Sequence, residues 1–254
     1  MSNGVILIIN LLFVQILAGV VTAGEIHISA AISLKEVMNE LTKDYANNNP
    51  GLKFVNKFDA SGSLAKQIEN QPTVDIFIPS NMMWMQYLMD RYMLDNFSIR
   101  TFTFNTLVFA GNPGKKVSGM NELPRLKKIA IGRPERVAAG EYALESLINS
   151  GVYKALHQQL LLSKDSRDSL KYVELGEADG AIVYRTDALF SRRLKIHFVI
   201  PQELYSRVVY PMALTVTGAR NGDARAFFKY LQGSDAKAVL ERYGFDVNNH
   251  ISRH

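Results

Sequence analysis

Four short stretches of this chain join small residues to hydroxyls where a strand gives way to a helix: Ala30-Ala31-Ile32-Ser33, Ala60-Ser61-Gly62-Ser63, Val137-Ala138-Ala139-Gly140 and Asp165-Ser166. A helix start leaves backbone N–H groups without intrahelical partners and carries partial positive charge. Small residues there let an anion approach the backbone closely. A serine hydroxyl has one donor and two lone pairs, so it can donate to an anion while accepting the helix cap bond. Several such starts aimed at one point would hold a fully deprotonated oxyanion. Taken singly, each is better accounted for as a helix cap; the four together shift the balance, and periodicity alone leaves both readings open.

Other chemistries have less to work with. The chain contains no cysteine, which removes disulfides, zinc-thiolate sites, iron–sulfur clusters and thiol nucleophiles together. A secreted hydrolase is the alternative from a different class, but no Gly-x-Ser-x-Gly elbow and no HExxH is present. Among the histidines, His27 falls in the first strand, and His157 and His197 are isolated. His250 and His254 are spaced i, i+4 in a polar tail, where a fraying terminus makes a poor metal site. The 254 residues carry 29 Lys plus Arg against 24 Asp plus Glu, a net +5 that is mild and scattered and argues against a nucleic-acid partner.

Stepping outward from the serines, strands and helices alternate. Residues 25–31, 53–58, 74–79, 106–110, 128–131, 180–184, 196–200 and 208–216 read as strands. Helices are expected from Ser33, through Leu64 and Ile68, over 82–93, 141–150 and 166–175, and last over 222–230. Ser33-Leu34-Lys35-Glu36 has the form of a capping box. The 82–93 helix is rich in Met and aromatics, which reads as core packing because thioethers fill interiors. Asp59 is expected to face away from the cleft, opposite Phe58, by strand alternation. The pattern implies an α/β fold with mostly parallel sheets.

Residues 1–23 hold no charged side chain, and Val5 to Ala23 is almost wholly apolar, ending in Val21-Thr22-Ala23. This reads as an export signal cleaved after Ala23, the alternative being a retained anchor. Leu17-Ala18-Gly19 begins like a lipoprotein cleavage box, but Val20 stands where the lipidated cysteine would be.

Ala30-Ala31-Ile32-Ser33-Leu34, the run Ala60 to Ile68 (ASGSLAKQI), Val74-Asp75-Ile76-Phe77 and Trp84-Met85 resemble the amino-terminal half of periplasmic molybdate-binding proteins. The run Ile131 to Ala143 (IGRPERVAAGEYA), Ala181 to Ala188 (AIVYRTDA) and Arg242-Tyr243-Gly244-Phe245 continue the resemblance in order over 25–246. It implies a two-lobed, type II periplasmic-binding-protein-like fold, each lobe a mixed, mostly parallel sheet flanked by helices with the ligand cleft between them. After the signal at 1–23, the implied lobes are 24–103 with a return segment at 211–254, and 104–210. The implied function is delivery of molybdate, and usually tungstate, to the permease and ATPase of an ABC importer by a monomeric periplasmic receptor that is not an enzyme and holds no cofactor.

Carried over by residue, the resemblance assigns the hydroxyl and backbone N–H of Ser33 and Ser61, the backbone N–H of Ala139 and of Ser166, and the Tyr184 hydroxyl as the oxyanion donors. Molybdenum would be held only as molybdate through these groups, with no side chain ligating the metal directly. Position 166 is commonly apolar in that family, and Arg133 and Ala138 stand where it commonly has an acidic residue and a proline. A donor-only site suits molybdate, which has four acceptor oxygens and no proton. Monohydrogen phosphate would leave its proton unpaired, at a cost of about 1–3 kcal/mol, and sulfate would have to be rejected by size. A sulfate- or phosphate-binding protein is therefore the nearest alternative.

Overall fold

Side-chain parity along the strands determines how this molecule is layered. The structure is a computed structural model that describes residues 24–247; the export segment expected at 1–23 and the pair His250 and His254 lie outside the described residues. The first lobe starts with β1 (Glu25–Ala31), α1 (Lys35–Asn48), β2 (Lys53–Asp59), α2 (Ser61–Asn70), β3 (Ile76–Ile78), α3 (Met82–Met89) and β4 (Arg100–Asn105). One residue, Thr106, separates β4 from the second lobe. That lobe comprises β5 (Leu107–Gly111), β6 (Ile129–Gly132), α4 (Ala138–Asn149), α5 (Tyr153–Leu156), β7 (Leu160–Ser163), α6 (Ser166–Glu174), β8 (Gly180–Tyr184), α7 (Arg185–Phe190) and β9 (Lys195–Val199). The chain then returns through β10 (Val208–Leu214) to the first lobe and ends in α8 (Gly222–Tyr230) and α9 (Ser234–Arg242).

The two sheets have the orders β2-β1-β3-β10-β4 and β7-β6-β8-β5-β9. In the first, β1 pairs parallel with β2 and β3, while β10 runs antiparallel to β3 and β4. In the second, β6 pairs parallel with β7 and β8, while β5 runs antiparallel to β8 and β9. Parallel and antiparallel pairings are thus equal in number, because the strands that carry the chain between lobes enter each sheet against the grain. The sequence pattern does not predict β4, β7, α5, α7 or α9. β4 pairs with β10 and is bridged at Phe104 to Asp246, and its Arg-Thr-Phe-Thr-Phe-Asn run mixes polar and aromatic residues without a continuous apolar signal.

Adjacent residues of a strand point to opposite faces, and each sheet is covered on both. Ile76, Ile78, Met212 and Leu214 join the layer under α1, α8 and α9, whereas Phe77 and Ala213 join Leu64, Ile68, Met85 and Leu88 of α2 and α3. In the second sheet, Ile129, Ile131, Ile182 and Tyr184 face α4, and Ala130, Ala181 and Val183 face Leu170 and Val173 of α6. The Met-rich segment corrects the core reading in part. Met85 and Leu88 are buried, but Met82 and Met83 are exposed at 46% and 59%, because one helix face must look out once the other covers the sheet. This helix also ends at Met89 rather than 93, where Tyr92 takes the left-handed conformation (φ 56°) and the Met93 N–H bonds back to the Leu88 carbonyl at 3.1 Å.

Candidate functional site

Parallel strands that feed helices gather the helix starts at the carboxyl ends of the strands, where ligands of open α/β sheets bind. Here the ends of β1, β2 and β3 in one lobe face those of β6, β7 and β8 in the other across a cavity of about 600 Å³. Ser33, Ser61, Ala139, Ser166 and Tyr184 all lie on the wall of this cavity. Residues more than 150 positions apart in sequence are thus brought to one place.

The serines reach it differently from the capping expected of them. The capping box at Ser33 does not form: residues 32–34 make a 3-10 turn, and α1 begins only at Lys35. The Ser33 Oγ instead lies 3.0 Å from the Tyr210 hydroxyl, on the strand that returns between the lobes. Ser61 is the first residue of α2, and the cap position falls on Ala60, which has no side-chain oxygen. Likewise Val137 caps α4 without a side-chain bond, and Asp165, not Ser166, caps α6 by accepting the Asp168 N–H at 2.8 Å. The caps of α2, α4 and α6 lie towards the strand and that of α1 falls on Leu34, so the hydroxyls of Ser33, Ser61 and Ser166 do not cap their own helices. At α2 and α4 the first N–H groups are left uncapped by any side chain, facing the cavity with the positive end of the helix dipole.

Two close approaches hold these helix starts in place. A Cβ at Gly62 would sit 2.4 Å from the Trp84 ring, so α2 can pack against α3 only with glycine there. A Cβ at Gly140 would sit 1.9 Å from the Gly132 carbonyl oxygen, so the first turn of α4, with Ala139, lies directly against the end of β6.

The structure adds residues that sequence reasoning missed. Ser80, after β3, donates its N–H to the Ser61 Oγ at 3.0 Å, with the two hydroxyls 3.1 Å apart. Both serines are buried on the cavity wall. The one available signal is the polar pair Ser80-Asn81 following the run VDIFIP. Trp84 also lines the cavity, on a helix read as interior. Asp59 does not face away as expected: it lines the cavity, exposed, and its Oδ1 accepts the Ala60 N–H at 2.7 Å. Asp59 keeps its register opposite Ala31 and the strand's alternation, and it reaches the cavity because the strand ends there, at the cleft. Lys66, Arg136 and Arg167 are on the wall, while Arg133 is not.

Tyr184 ends β8. Its ring is 3% exposed, and its hydroxyl is buried without a hydrogen-bond partner. Burial pushes the phenol well above its ordinary range, with Tyr210 next in effect, so it stays protonated and able to donate. Tyr210 is pushed up by burial too, against the hydrogen bonds from Ser33 and Asn105. Asp187, on α7 at the back of the cavity, is 5% exposed and raised to about 6, chiefly by burial. Among the described residues no cluster of three His, Cys, Asp or Glu could hold a metal cation. Carboxyl groups of Asp59, Glu135, Glu141, Asp165 and Asp187 also line the cavity, so what suits it to an anion is the uncapped helix starts of α2 and α4 and the protonated Tyr184 hydroxyl.

The model of a family described as bacterial extracellular solute-binding protein matches residues 26–246. The chain is 34% identical over 233 residues to the molybdate-binding protein ModA of Haemophilus influenzae, covering 89% of this chain and 91% of that one. It is 33% identical over 233 residues to the ModA of Escherichia coli, covering 88% and 90%. Among solved structures, the substrate-binding domain of a putative molybdenum ABC transporter from Clostridium difficile superposes with a TM-score of 0.78 at 31% identity, covering 87% of this chain and 98% of that one.

Proposed function

The chain belongs to the bacterial extracellular solute-binding proteins, and from that premise we propose that its cleft captures molybdate and hands it to an ABC importer. The observation that carries this reading is the Tyr184 hydroxyl, buried on the cavity wall with no partner. An unpaired buried hydroxyl costs about 1–3 kcal/mol, so it needs a compensating ligand. An oxyanion oxygen is the acceptor a protonated phenol lacks.

In this reading Ser33 and Ser61 donate their hydroxyls and backbone N–H groups from the first lobe. Ala139 and Ser166 donate backbone N–H groups, and Tyr184 its hydroxyl, from the second. No full positive charge touches the anion, because the helix starts supply the field. Lys66 and Arg136, at the wall, steer the anion in by long-range attraction that salt screens. Selection against sulfate comes from size: a ring of donors fixed by both lobes meets all four oxygens only of the larger ion. Lobe opening then releases it to the permease. Tungstate, of the same charge and shape, is the expected second ligand. The protein acts as an exported monomer after removal of residues 1–23, binding without a catalytic step.

A cavity-lining carboxyl, Asp187, gives phosphate a specific argument of its own, since a carboxylate can accept the proton of monohydrogen phosphate. Calorimetric titration with molybdate, tungstate, sulfate and phosphate separates the readings. Tight one-to-one binding of molybdate, with sulfate and phosphate weaker by at least about tenfold, or 1.4 kcal/mol, supports the proposal. Sulfate or phosphate binding as tightly as molybdate defeats it.

A further inference from the structure

Behind the donors sits a carboxyl for which the oxyanion reading has no use. Asp187 lies in the first turn of α7, lines the same cavity and is 5% exposed. The Arg167 Nε is 3.8 Å from its Oδ1, and the Ser166 side chain hydrogen-bonds to it. That cation is not its own: the same guanidinium donates through Nη2 to Glu36 of α1 at 2.5 Å. Asp165, the cap of α6, adds a further negative charge nearby. Tyr184 on β8 and Tyr210 on β10 also feel its charge, and both are neutral phenols. β5 brings no titratable side chain; on β9, Lys195 is exposed and His197 is turned to the Asn112 carbonyl. One arginine thus faces three carboxyl groups at the back of a site meant for a dianion.

We propose that Asp187 makes anion capture proton-linked, the cleft taking up one proton on this carboxyl as the dianion enters and returning it to solvent on release. The inference rests on the molybdate reading. Two further negative charges in a water-poor cleft raise the cost of a buried carboxylate, and the cheapest response is to neutralise the carboxyl that is most buried and least paired. Glu36, by contrast, is more exposed and in direct contact with the guanidinium. The protonated acid also gains an O–H, turning the back of the site from acceptor to donor.

The sign follows from linkage. In the free cleft Asp187 loses its proton as pH rises through about 6; in the complex it holds the proton to higher pH. Affinity is therefore flat below about pH 6 and falls by up to about tenfold per pH unit above it, until the bound form also ionises.

The test is calorimetry with molybdate near pH 7.5 in two buffers of different ionisation enthalpy, which counts the protons exchanged. Wild type is expected to take up a proton per anion, approaching one. Asp187→Asn, a neutral stand-in for the protonated acid, is expected to take up none and to bind near pH 8 at least as tightly as wild type. No uptake by wild type that binds molybdate overturns the proposal and leaves the molybdate reading standing. So does an Asp187→Asn protein that keeps the full uptake, or that loses affinity equally at every pH. If the variant does not fold, the wild-type proton count decides alone. If none of the four oxyanions binds at any pH, the oxyanion reading fails and this inference with it.

Discussion

The Arg167 guanidinium, on α6 of the second lobe, donates to the Glu36 carboxylate on α1 of the first at 2.5 Å, tying the two walls of the cleft together. Glu36 raises the Arg167 pKa by that hydrogen bond, so the guanidinium is charged at any physiological pH. Both side chains are partly exposed, 47% and 27%, which limits the pair to at most about 1 kcal/mol. Glu36→Gln is expected to loosen lobe closure slightly. Molybdate affinity should drop by up to about fivefold at low ionic strength, and the difference should shrink as salt is added. Titrations at two salt concentrations check it.

Tyr184→Phe separates binding from stability. The variant removes a buried hydroxyl that has no partner in the protein, so the ligand-free fold should be as stable as wild type or more so. Molybdate binding should weaken by about 1.5–3 kcal/mol, the range for a hydrogen bond to a charged group. Thermal melts without and with molybdate show both effects in one experiment.

Ser61→Ala should harm both. Its Oγ accepts the Ser80 N–H at 3.0 Å inside the cavity wall, so alanine leaves a buried donor unpaired at about 1–3 kcal/mol. Ser33→Ala should cost the fold less, because Tyr210 keeps the Asn105 Nδ2 as a donor at 3.3 Å. Urea unfolding of the two variants should rank Ser33→Ala above Ser61→Ala.

Gly140→Ala tests the seating of α4. Its Cβ would press on the Gly132 carbonyl, a backbone atom that cannot swing aside. Overpacking of this kind costs about 1–3 kcal/mol, and moving the helix start displaces the Ala139 N–H from the cleft. Both the melting temperature and molybdate affinity should fall.

Asp187 also sets a pH dependence of the fold itself. Its pKa is raised by burial, to about 6, above that of an unfolded aspartate. The unfolded chain therefore ionises first, and this residue's contribution to stability is full below about pH 4 and lost as pH rises to about 6. Asp187→Asn should show a melting temperature that declines less than wild type over that interval. An identical decline in both proteins would locate the effect elsewhere.

Much of the fold was readable because strand parity and helical spacing are local. β1 and β8 fall where alternation and apolar runs predict them, and α6 starts at the expected Ser166. Ser33, Ser61, Ala139, Ser166 and Tyr184 come to line one cavity because their motifs lie where strands end and the fold gathers strand ends, while their roles as donors rest on the resemblance. What sequence could not reveal depends on long-range contact. Ser33 looked like a cap, but its hydroxyl goes to Tyr210, 177 positions away. The Met-rich helix looked like core, because nothing local distinguishes a face on a sheet from a face on a cleft. Asp187 sits in the quoted YRTDA run, yet its burial and shared arginine exist only once α1, α6 and α7 meet.

The central claim, that one dianion is held between the lobes by neutral donors, is met most directly by a crystal structure of the protein with molybdate, the metal located by its anomalous scattering. A single molybdenum is expected in the cleft, with the Tyr184 hydroxyl, the Ser33 and Ser61 hydroxyls, and the Ala139 and Ser166 backbone N–H groups each within hydrogen-bond reach of its oxygens. Molybdenum bound elsewhere, or in the cleft with the Tyr184 hydroxyl still unpartnered, would contradict it.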